Sequence, residues 1–449
     1  MSTALIILAA GKGTRMNSDL PKVLHPIAQA PMLEHAMAAG RALDPDRTVV
    51  VAGHEADLVR AAVAEIDEEA VVVLQEEQLG TGHAVLQARD ALEGFRGDLV
   101  VLYGDTPFVT SETLERMVAA RGRADLVILG FEAADPARYG RLVMQGDSLE
   151  KIIEYKDATE EERAITFCNS GLMAGDAEMM FRLLDQVKAD NAAGEYYLTD
   201  LAELARAEGL AVTAVACPEE ETLGINSRAD LAAADAVFQA RARADLLELG
   251  VTLMAPETVY LAFDTFIGRD TVIEPNVVFG PGVTVESGVL IKSFSHLEGC
   301  HVSRGSKVGP YARLRPGAEL AEDTHIGNFV EIKNAEIGIG AKVNHLSYIG
   351  DATVGEATNI GAGTITCNYD GVMKHRTEIG SRAFIGSNTM LVAPVRVGNE
   401  AVTATGAVIT KDVGDGDLAI ARVEQTNKPG RAYKLMDMLR AKKARLSKG

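Results

Sequence analysis

A period of six residues runs through the second half of the sequence and constrains its fold more than any other feature. From about Val251, an apolar side chain recurs at every sixth position, with single-residue slips between runs. Neither the 3.6-residue period of an α-helix nor the alternation of a strand produces this spacing. A solenoid of hexapeptides does, because each side of a coil turns one apolar side chain inward. The predicted inward positions are Ile267, Ile273, Phe279, Val285, Ile291, Leu297, Val302, Val308, Leu314, Leu320, Ile326, Ile332, Ile337, Val343, Ile349, Ile379, Ile385, Leu391 and Val397.

Glycine follows many of these inward residues directly, as in Ile326-Gly327 and Ile337-Gly338. We interpret these glycines as the residues that turn the corners of the coil. Residues 368–377 contain no hexad and are predicted to form a loop that leaves the coil. Loops on rigid scaffolds commonly carry function.

The first half has a different pattern, in which short apolar runs alternate with helix-like segments. The predicted strands are residues 5–9, 48–52, 71–74, 99–103 and 126–130, and the predicted helices are residues 32–43, 56–66, 84–92 and 112–120. Strands this apolar are buried on both faces, as in a mainly parallel sheet covered by helices. The sequence therefore predicts an α/β domain with a Rossmann-like mixed, mainly parallel sheet.

These patterns divide the chain into four segments. The stretch after residue 226 is rich in alanine, arginine and aspartate and contains no glycine until Gly250, which predicts a helix between the two domains. The segments are an α/β domain at 1–226, a linker helix at 227–250, a β-helix at 251–422 and a basic tail at 423–449.

The composition favours a cytoplasmic globular protein. With 449 residues the chain can bury at least two cores, and its 47% hydrophobic and 24% charged residues are ordinary for such a protein. A net charge of −20 argues against nucleic acid as a partner. No apolar stretch approaches the length of a membrane span, so we expect no membrane insertion. The 4 cysteines have no metal-ligand spacing, which fits reduced thiols.

Residues 8–16 form the clearest ligand-binding motif. An apolar run ends in a glycine-rich turn at residues 11–13, and the cations Arg15 and Lys22 follow. Such a turn after a buried strand presents N–H groups and positive charge to phosphates. It is neither a Walker A loop nor a full dinucleotide fingerprint, because Met16 stands where the third glycine belongs. We interpret it as a phosphate-binding loop, with an ordinary turn as the alternative.

The two halves resemble two known groups of enzymes. The hexads are similar to the left-handed parallel β-helix of the hexapeptide acyltransferases, and residues 8–16 with Lys22 resemble sugar-nucleotide pyrophosphorylases. Together with residues 78–83 and 361–369, they closely resemble the bacterial GlmU family over nearly the whole chain. The left-handedness of the coil follows from this resemblance and not from the period.

The resemblance implies a bifunctional enzyme of UDP-N-acetylglucosamine synthesis. One activity would acetylate glucosamine 1-phosphate with acetyl-CoA. The other would transfer UMP from UTP to N-acetylglucosamine 1-phosphate and release pyrophosphate. The resemblance also implies Mg²⁺ as a cofactor, a homotrimer with shared active sites, and a role in peptidoglycan and lipopolysaccharide synthesis.

The resemblance places uridyl transfer in the first half. The sugar phosphate is already an anionic nucleophile, so the protein must supply alignment and charge neutralisation, for which Arg15 and Lys22 are expected. Asp105 and Asn226 are expected to hold Mg²⁺ through oxygen. Nucleotide contacts fall on Leu8, Ala9, Ala10, Gly11, Gln75, Gly80, Thr81, Tyr103 and Gly104, and sugar contacts on Gly140, Glu154 and Asn169.

Three residues of this half have a plainer interpretation without the resemblance. Gly140 could be an ordinary turn. Glu154 could form a surface ion pair with Lys151 or Lys156, which contributes little. His83 is expected to cap or pack rather than to catalyse.

The resemblance places acetyl transfer in the second half. Transfer of an acetyl group to an amine needs a base, and His345 matches the position of the family's base, with Glu331 expected to orient it. Arg315 and Lys333 are expected to hold the sugar phosphate. Tyr348 and Asn359 are expected to contact the sugar. The positions expected to contact acetyl-CoA are Ala362, Asn368, Tyr369, Ser387, Thr405 and Arg422.

Two points in this half stay open. The family has alanine where Thr405 stands, which leaves one CoA contact in doubt. Cys367 lies close in sequence and could form an acyl-enzyme, but direct transfer is preferred because no neighbouring base is evident to make a thiolate.

Two other functions are alternatives to the bifunctional enzyme. The first is a single-activity sugar-nucleotide pyrophosphorylase with a structural β-helix, which would not need Arg315, Lys333, His345 and Tyr348. The second is a binding protein similar to the exchange-factor subunits of translation initiation, which lack the glycine-rich loop and Asp105. Both sets of residues are present in this sequence.

Overall fold

The computed structural model describes residues 2–191 and 193–447 and divides into two compact units. The first unit comprises residues 1–244 and 261–263, and the second comprises residues 245–260 and 264–449.

The first unit contains β-strands interleaved with helices, as its apolar runs predict. The strands are β1 (Thr3–Ala9), β2 (Pro26–Ile27), β3 (Ala30–Pro31), β4 (Arg47–Ala52), β5 (Val71–Leu74), β6 (Asp98–Tyr103), β7 (Leu126–Glu132), β8 (Arg141–Gln145), β9 (Ser148–Ile153), β10 (Phe167–Asp176) and β11 (Val212–Cys217). The helices are α1 (Met32–Arg41), α2 (Ala56–Ile66), α3 (Thr81–Leu86), α4 (Ser111–Ala120), α5 (Glu160–Arg163), α6 (Ala177–Leu184) and α7 (Leu201–Ala207). An eighth helix, α8 (Arg228–Glu248), belongs to this unit up to residue 244.

One mixed, mainly parallel sheet organises this unit, which confirms the predicted class. Its strand order is β11-β7-β10-β6-β1-β4-β5, and the β8–β9 hairpin joins it through β10. β10 is antiparallel to β6 and β7, whereas the other pairs along this order are parallel. The strand order reverses between β1 and β6. Ligands of open α/β sheets bind beyond the carboxyl ends of the strands at such a point.

Two predictions about these elements were wrong in detail. The helix predicted over residues 84–92 begins earlier as α3 and ends at Leu86, and a separate 3₁₀ turn covers Asp90–Leu92. β5 is not buried on both faces, since Val71 and Leu74 are exposed. The reason is that β5 lies at the edge of the sheet and has only β4 as a neighbour.

The part of α8 that belongs to the first unit packs against it. Ala234 is buried in a small apolar cluster that also contains Ile225 and Phe263. The carboxylate of Asp235 accepts a hydrogen bond of 2.8 Å from the backbone N–H of Ala28. This stretch of the helix therefore contributes to a core.

The second unit is a parallel β-helix of very short strands. They are β12 (Thr252–Leu253), β13 (Phe266–Ile267), β14 (Val272–Ile273), β15 (Val278–Phe279), β16 (Val283–Val285), β17 (Leu290–Ile291), β18 (His296–Leu297), β19 (Cys300–Val302), β20 (Lys307–Val308), β21 (Arg313–Leu314), β22 (Ala318–Leu320), β23 (His325–Asn328), β24 (Glu331–Ile337), β25 (Lys342–His345), β26 (Tyr348–Val354), β27 (Asn359–Ile360), β28 (Ile365–Cys367), β29 (Thr377–Ile379), β30 (Phe384–Ile385), β31 (Met390–Val392), β32 (Val395–Val397), β33 (Val402–Thr403), β34 (Val408–Ile409) and β35 (Leu418–Ala419).

The hexad pattern corresponds to this coil. All the predicted inward side chains are at most 3% exposed. Partner residues on adjacent coils are usually 17 or 18 positions apart, as for Leu290 with Lys307 and Lys307 with His325. Three hexads make an 18-residue coil, so each slip of the hexads reflects a coil of 17 residues. The separation in sequence between Asn359 and its partner Phe384 is larger, because residues 368–377 leave the coil between them.

The glycines after the inward residues do not turn the corners, contrary to the prediction. Gly338 and Gly380 do not have a positive φ. They are needed because the next coil passes close by: a Cβ on Gly380 would lie 2.6 Å from the backbone nitrogen of Asn399. Corner positions with positive φ include the non-glycine residues Phe294 and Tyr311.

The basic tail contains a helix, α9 (Arg431–Leu446), whose residues are all exposed. Among the helices described, none combines the length and apolar character that crossing a lipid bilayer requires.

Candidate active sites

The first candidate site lies where β1 and β6 end. The ammonium group of Lys22 contacts the carboxylate of Asp105 and donates a hydrogen bond of 3.1 Å to the amide oxygen of Asn226. The backbone N–H of Ile225 also donates to the carbonyl of Asp105, which draws the segment before α8 to the end of β6. Three predicted residues from distant parts of the sequence therefore meet.

The oxygen atoms around Lys22 are the kind that Mg²⁺ binds. One carboxylate and one amide oxygen already face a cation, and Mg²⁺ sites of this type take their remaining ligands from water and substrate phosphates. Within residues 2–191 and 193–447, no group of three or more His, Cys, Asp or Glu side chains could hold a metal by itself. Asp105 and Asn226 thus fit a metal shared with substrate.

A cavity of about 270 Å³ opens beside this cluster. The sequence prediction missed Val23, Gln78, Ala84 and Glu195, which also line it. Its full lining is Leu8, Ala9, Ala10, Gly11, Lys22, Val23, Gln75, Gln78, Gly80, Thr81, Ala84, Tyr103, Asp105 and Glu195.

The glycine-rich turn is shaped to let Lys22 approach. Gly13 has φ +58, and a Cβ there would lie only 2.7 Å from the Cβ of Lys22. Arg15 lies on the following 3₁₀ turn, Thr14–Met16, where its side chain is exposed and does not line the cavity. The turn thus brings Lys22 to the cavity and leaves Arg15 at its outside.

Tyr103 is among the residues that line the cavity, and its ring lies against a glycine. Gly171 has φ +92, and a Cβ there would lie 2.9 Å from the ring of Tyr103. Burial, followed by the negative charge of Asp105, raises the pKa of the Tyr103 hydroxyl. The hydroxyl therefore stays protonated and available for hydrogen bonding.

The three predicted sugar contacts lie together. The backbone N–H of Asn169 donates to the carbonyl of Gly140, and a Cβ on Gly140 would lie 3.4 Å from a carboxylate oxygen of Glu154. The surface ion pair weighed for Glu154 is wrong for Lys151, which pairs with Glu162 at 3.0 Å. Burial raises the pKa of Glu154, which is the behaviour of a carboxyl group in a cleft.

The second candidate site follows adjacent coils of the β-helix. The backbone N–H of Arg315 donates a hydrogen bond to the carbonyl of Ile332, which places Arg315 beside Lys333 on the next coil. Lys333 in turn pairs with Gly350 on the coil after that. The hydroxyl of Tyr348 occupies the space where a side chain on Gly350 would stand. Two cations and a hydroxyl are therefore aligned on three successive coils.

The loop of residues 368–377 completes a cationic cavity of about 680 Å³ beside Lys333. Contact with the Lys333 ammonium lowers the pKa of Lys374, a residue that the sequence prediction missed. Burial acts to raise the pKa of Asp351, but hydrogen bonds from Asn334 and Asn368 outweigh it and lower that pKa. Two adjacent ammonium groups repel each other, so an anion such as phosphate would relieve them.

His345 is exposed and is oriented by Asn328, not by Glu331 as predicted. Its Nδ1 lies 3.1 Å from the side-chain oxygen of Asn328, the residue paired with it on the preceding coil. Glu331 instead forms an ion pair of 2.8 Å with Arg315, which raises the pKa of that guanidinium. Because an amide oxygen can only accept, Nδ1 carries the proton and Nε2 is free to act as a base.

Four of the predicted CoA residues lie on one corner of the coil. Hydrogen bonds run from the backbone of Asn388 to Ala362, from Gly406 to Ser387, and from the guanidinium of Arg422 to the carbonyl of Thr405. These residues form a column along the corner of successive coils. The column begins at His345, whose carbonyl oxygen accepts a hydrogen bond from the backbone N–H of Gly363. It ends at Arg422, so an elongated ligand could lie along it with its reacting end at His345.

The remaining predicted residues are more scattered. Asn368 is buried and donates hydrogen bonds to Tyr348 and Asp351, so it ties the start of the loop to β26. Tyr369 is exposed on the loop of residues 368–377. Asn359 lies on β27 and pairs with Lys342, the first residue of the strand that ends at His345. Burial raises the pKa of the Cys367 thiol, which disfavours the thiolate that an acyl-enzyme would need.

The fold and these sites define a nucleotidyltransferase joined to a hexapeptide-repeat transferase. Residues 5–168 match the family model of the MobA-like NTP transferase domain, and residues 264–299 match the bacterial transferase hexapeptide model of six repeats. The two domain types occur in the predicted order.

Full-length relatives identify the particular family. The chain is 86% identical over 449 residues to the bifunctional protein GlmU of Ruegeria sp. (strain TM1040), with 100% of both chains covered. It is 76% identical to that of Ruegeria pomeroyi (strain ATCC 700808 / DSM 15171 / DSS-3), with 99% of both covered, and 64% identical to that of Jannaschia sp. (strain CCS1), with 99% and 98% covered. The chain belongs to the GlmU family. Membership confirms the predicted bifunctional enzyme with uridyltransferase and acetyltransferase activities, over the single-activity alternative.

Proposed function

We propose that uridyl transfer takes place at the Lys22 cleft. The observation that carries this assignment is the Lys22 ammonium held between Asp105 and Asn226 at the carboxyl edge of the sheet. The sugar phosphate attacks the α-phosphorus of UTP, and pyrophosphate leaves. Lys22 neutralises charge on the phosphates, Arg15 at the outside of the loop meets the leaving pyrophosphate, and the cavity beside them holds the nucleotide.

Asp105 and Asn226 would hold Mg²⁺ when UTP enters. The ion supplies neutralisation of charge that develops on the phosphate oxygens. Lys22 then moves from Asp105 to the phosphates. Chelation of Mg²⁺ is expected to abolish pyrophosphate release and to leave acetyl transfer unchanged.

Gly140, Glu154 and Asn169 bind the sugar of N-acetylglucosamine 1-phosphate in this proposal. Gly140 leaves the space beside Glu154 open, since no side chain fills it. A neighbouring carboxyl and a buried amide offer acceptors and donors for sugar hydroxyl groups.

Acetyl transfer is assigned to the corner at His345. Arg315, Lys333 and Lys374 bind the phosphate of glucosamine 1-phosphate, and Tyr348 and Asn359 face its sugar. Acetyl-CoA lies along the column of Ala362, Ser387, Thr405 and Arg422, and Asn368 and Tyr369 bound its reacting end.

The chemical step at this corner is a direct transfer. The 2-amino nitrogen of the sugar attacks the thioester carbonyl carbon, a C–N bond forms and the C–S bond breaks. His345 Nε2 takes the proton from the nitrogen and returns a proton to the departing CoA sulfur. Its product is the substrate of the first unit, so the second unit acts first in the reaction sequence.

The cellular setting is proposed from the same family. We place the enzyme in the cytoplasm as a homotrimer that supplies precursors for peptidoglycan and lipopolysaccharide. A monomeric mass by light scattering at micromolar concentration would contradict the trimer.

One assay tests both activities. The wild-type protein is incubated with glucosamine 1-phosphate, acetyl-CoA, UTP and Mg²⁺, and free thiol and pyrophosphate are measured. Thiol release is expected first, followed by pyrophosphate. Absence of thiol release would contradict the acetyltransferase assignment, and absence of pyrophosphate, with N-acetylglucosamine 1-phosphate supplied directly, would contradict the uridyltransferase assignment.

A further inference from the structure

The side chain of Gln75 is held in one orientation in the wall of the nucleotide cavity. Gln75 is only 3% exposed. Its amide nitrogen lies 3.1 Å from the carbonyl oxygen of Gly80 and 3.0 Å from Nδ1 of His83. In the tautomer of His83 that carries its proton on Nε2, Nδ1 accepts and both amide hydrogens of Gln75 are used. Its amide oxygen accepts no hydrogen bond from the described residues, and the side chain lines the cavity.

Both partners resist rotation of this amide. The carbonyl of Gly80 can only accept, and it already receives the N–H of Ala84 in the first turn of α3. A rotated amide would place its oxygen against that carbonyl and against the lone pair of His83 Nδ1. The Gly80 contact is fixed by the backbone, whereas the His83 contact depends on a side chain.

His83 is itself held in place. The side-chain nitrogen of Gln87 lies 3.2 Å from Nε2 of His83 and 3.0 Å from its carbonyl oxygen. With Nδ1 as the acceptor for Gln75, Nε2 carries the ring proton and cannot accept from Gln87. Gln87, one turn further along the segment that begins with α3, therefore donates to the His83 carbonyl oxygen and anchors the backbone of His83. The contact of Nδ1 with Gln75 is a polar contact that the predicted capping or packing does not include.

We infer that His83 is a positioning residue that sets the enzyme's preference for uracil over cytosine. This inference rests on the proposed uridyl transfer at the Lys22 cleft. With its nitrogen bound to Gly80 and His83, Gln75 presents an oxygen acceptor to the cavity. Uracil carries a hydrogen on N3 that this oxygen can accept, whereas cytosine has a lone pair on N3 that it repels.

The test compares three variants in the uridyl-transfer reaction. His83→Asn places an acceptor near the position of Nδ1, His83→Gln extends toward Nε2 and leaves Gln75 without its partner, and His83→Leu removes both nitrogens. For each, kcat/KM is measured with UTP and with CTP, using N-acetylglucosamine 1-phosphate and Mg²⁺. The ratio of the two values is the readout, since a merely structural role would lower both alike.

The expected ratio for wild type and His83→Asn is high and similar, whereas His83→Gln and His83→Leu lower it by about ten-fold or more. A ratio in the Gln and Leu variants equal to that of wild type would overturn the role of His83. A fall in the Asn variant as large as in the Gln variant would also overturn it. Wild-type protein that turns over neither nucleotide would instead contradict the proposed function, so the two failures are distinguishable.

Discussion

The ammonium group of Lys22 contacts the carboxylate of Asp105, although 83 positions separate the two residues in the chain. The parallel pairing of β1 with β6 brings their carboxyl ends together, and the two residues follow those ends. The side chains are 11% and 21% exposed, so the pair sits in a partly shielded cleft. The Lys22 ammonium is thus shared between the carboxylate of Asp105 and the amide oxygen of Asn226.

Replacement of Lys22 should therefore impair uridyl transfer specifically. Lys22→Ala is expected to lower kcat for pyrophosphate formation by about 100-fold or more, because a charge aimed at the transferring phosphate is lost. The release of thiol from acetyl-CoA should be unchanged. Lys12→Ala is the matched control, since Lys12 is an exposed lysine of the same loop that does not line the cavity. Equal losses in the two variants would contradict the role of Lys22.

The acidic surroundings of Asp200 predict a pH-dependent stability. Burial, then repulsion by Glu203 and Glu154, raises the pKa of Asp200 from 3.8 to about 6. Between these values the folded protein binds the proton more tightly than the unfolded chain, so this group's contribution to stability falls as pH rises. Asp200→Asn should therefore raise the Tm at about pH 7 and change it little near pH 4.

The control for this prediction is Glu115→Gln, which removes an exposed carboxylate of the same unit. Its Tm should follow that of wild type at both pH values. An Asp200→Asn variant whose Tm difference from wild type is the same at both pH values would show that the raised pKa is not its cause.

The close approach of successive coils predicts an intolerant glycine at position 355. A Cβ on Gly355 would lie 2.5 Å from the backbone of Gly380 on the next coil. Gly355→Ala should lower the free energy of unfolding by about 1–3 kcal/mol, as overpacking does. Gly340→Asn is the control, because Gly340 has φ +65 with nothing within 4 Å, and asparagine tolerates that backbone. Chemical denaturation that finds the two variants equally stable would contradict the steric account.

Repetition explains why the interior of the β-helix could be predicted. Each inward residue, such as Ile332 or Ile349, has an equivalent in every coil, so the period outweighs local ambiguity. In the first unit, β10 was missed because its central residues, Asn169 to Gly171, are polar or small and form no apolar run. Its burial comes from the strands on either side of it.

The site was predictable only where chain geometry fixes it. The carboxyl ends of β1 and β6 place Lys22 near Asp105, but Asn226 required the resemblance. The pairing of Asn328 with His345 depends on a 17-residue coil, and the hexad slip between Ile332 and Ile337 was the signal that could have indicated it.

The central claim is that two separate sites on two units carry the two activities. The most direct measurement assays thiol release with glucosamine 1-phosphate and pyrophosphate release with N-acetylglucosamine 1-phosphate, in parallel, for Asp105→Ala and His345→Ala. Asp105→Ala should lose pyrophosphate release and keep thiol release, and His345→Ala should do the reverse. A single substitution that abolishes both activities in a protein with wild-type thermal unfolding would contradict the claim.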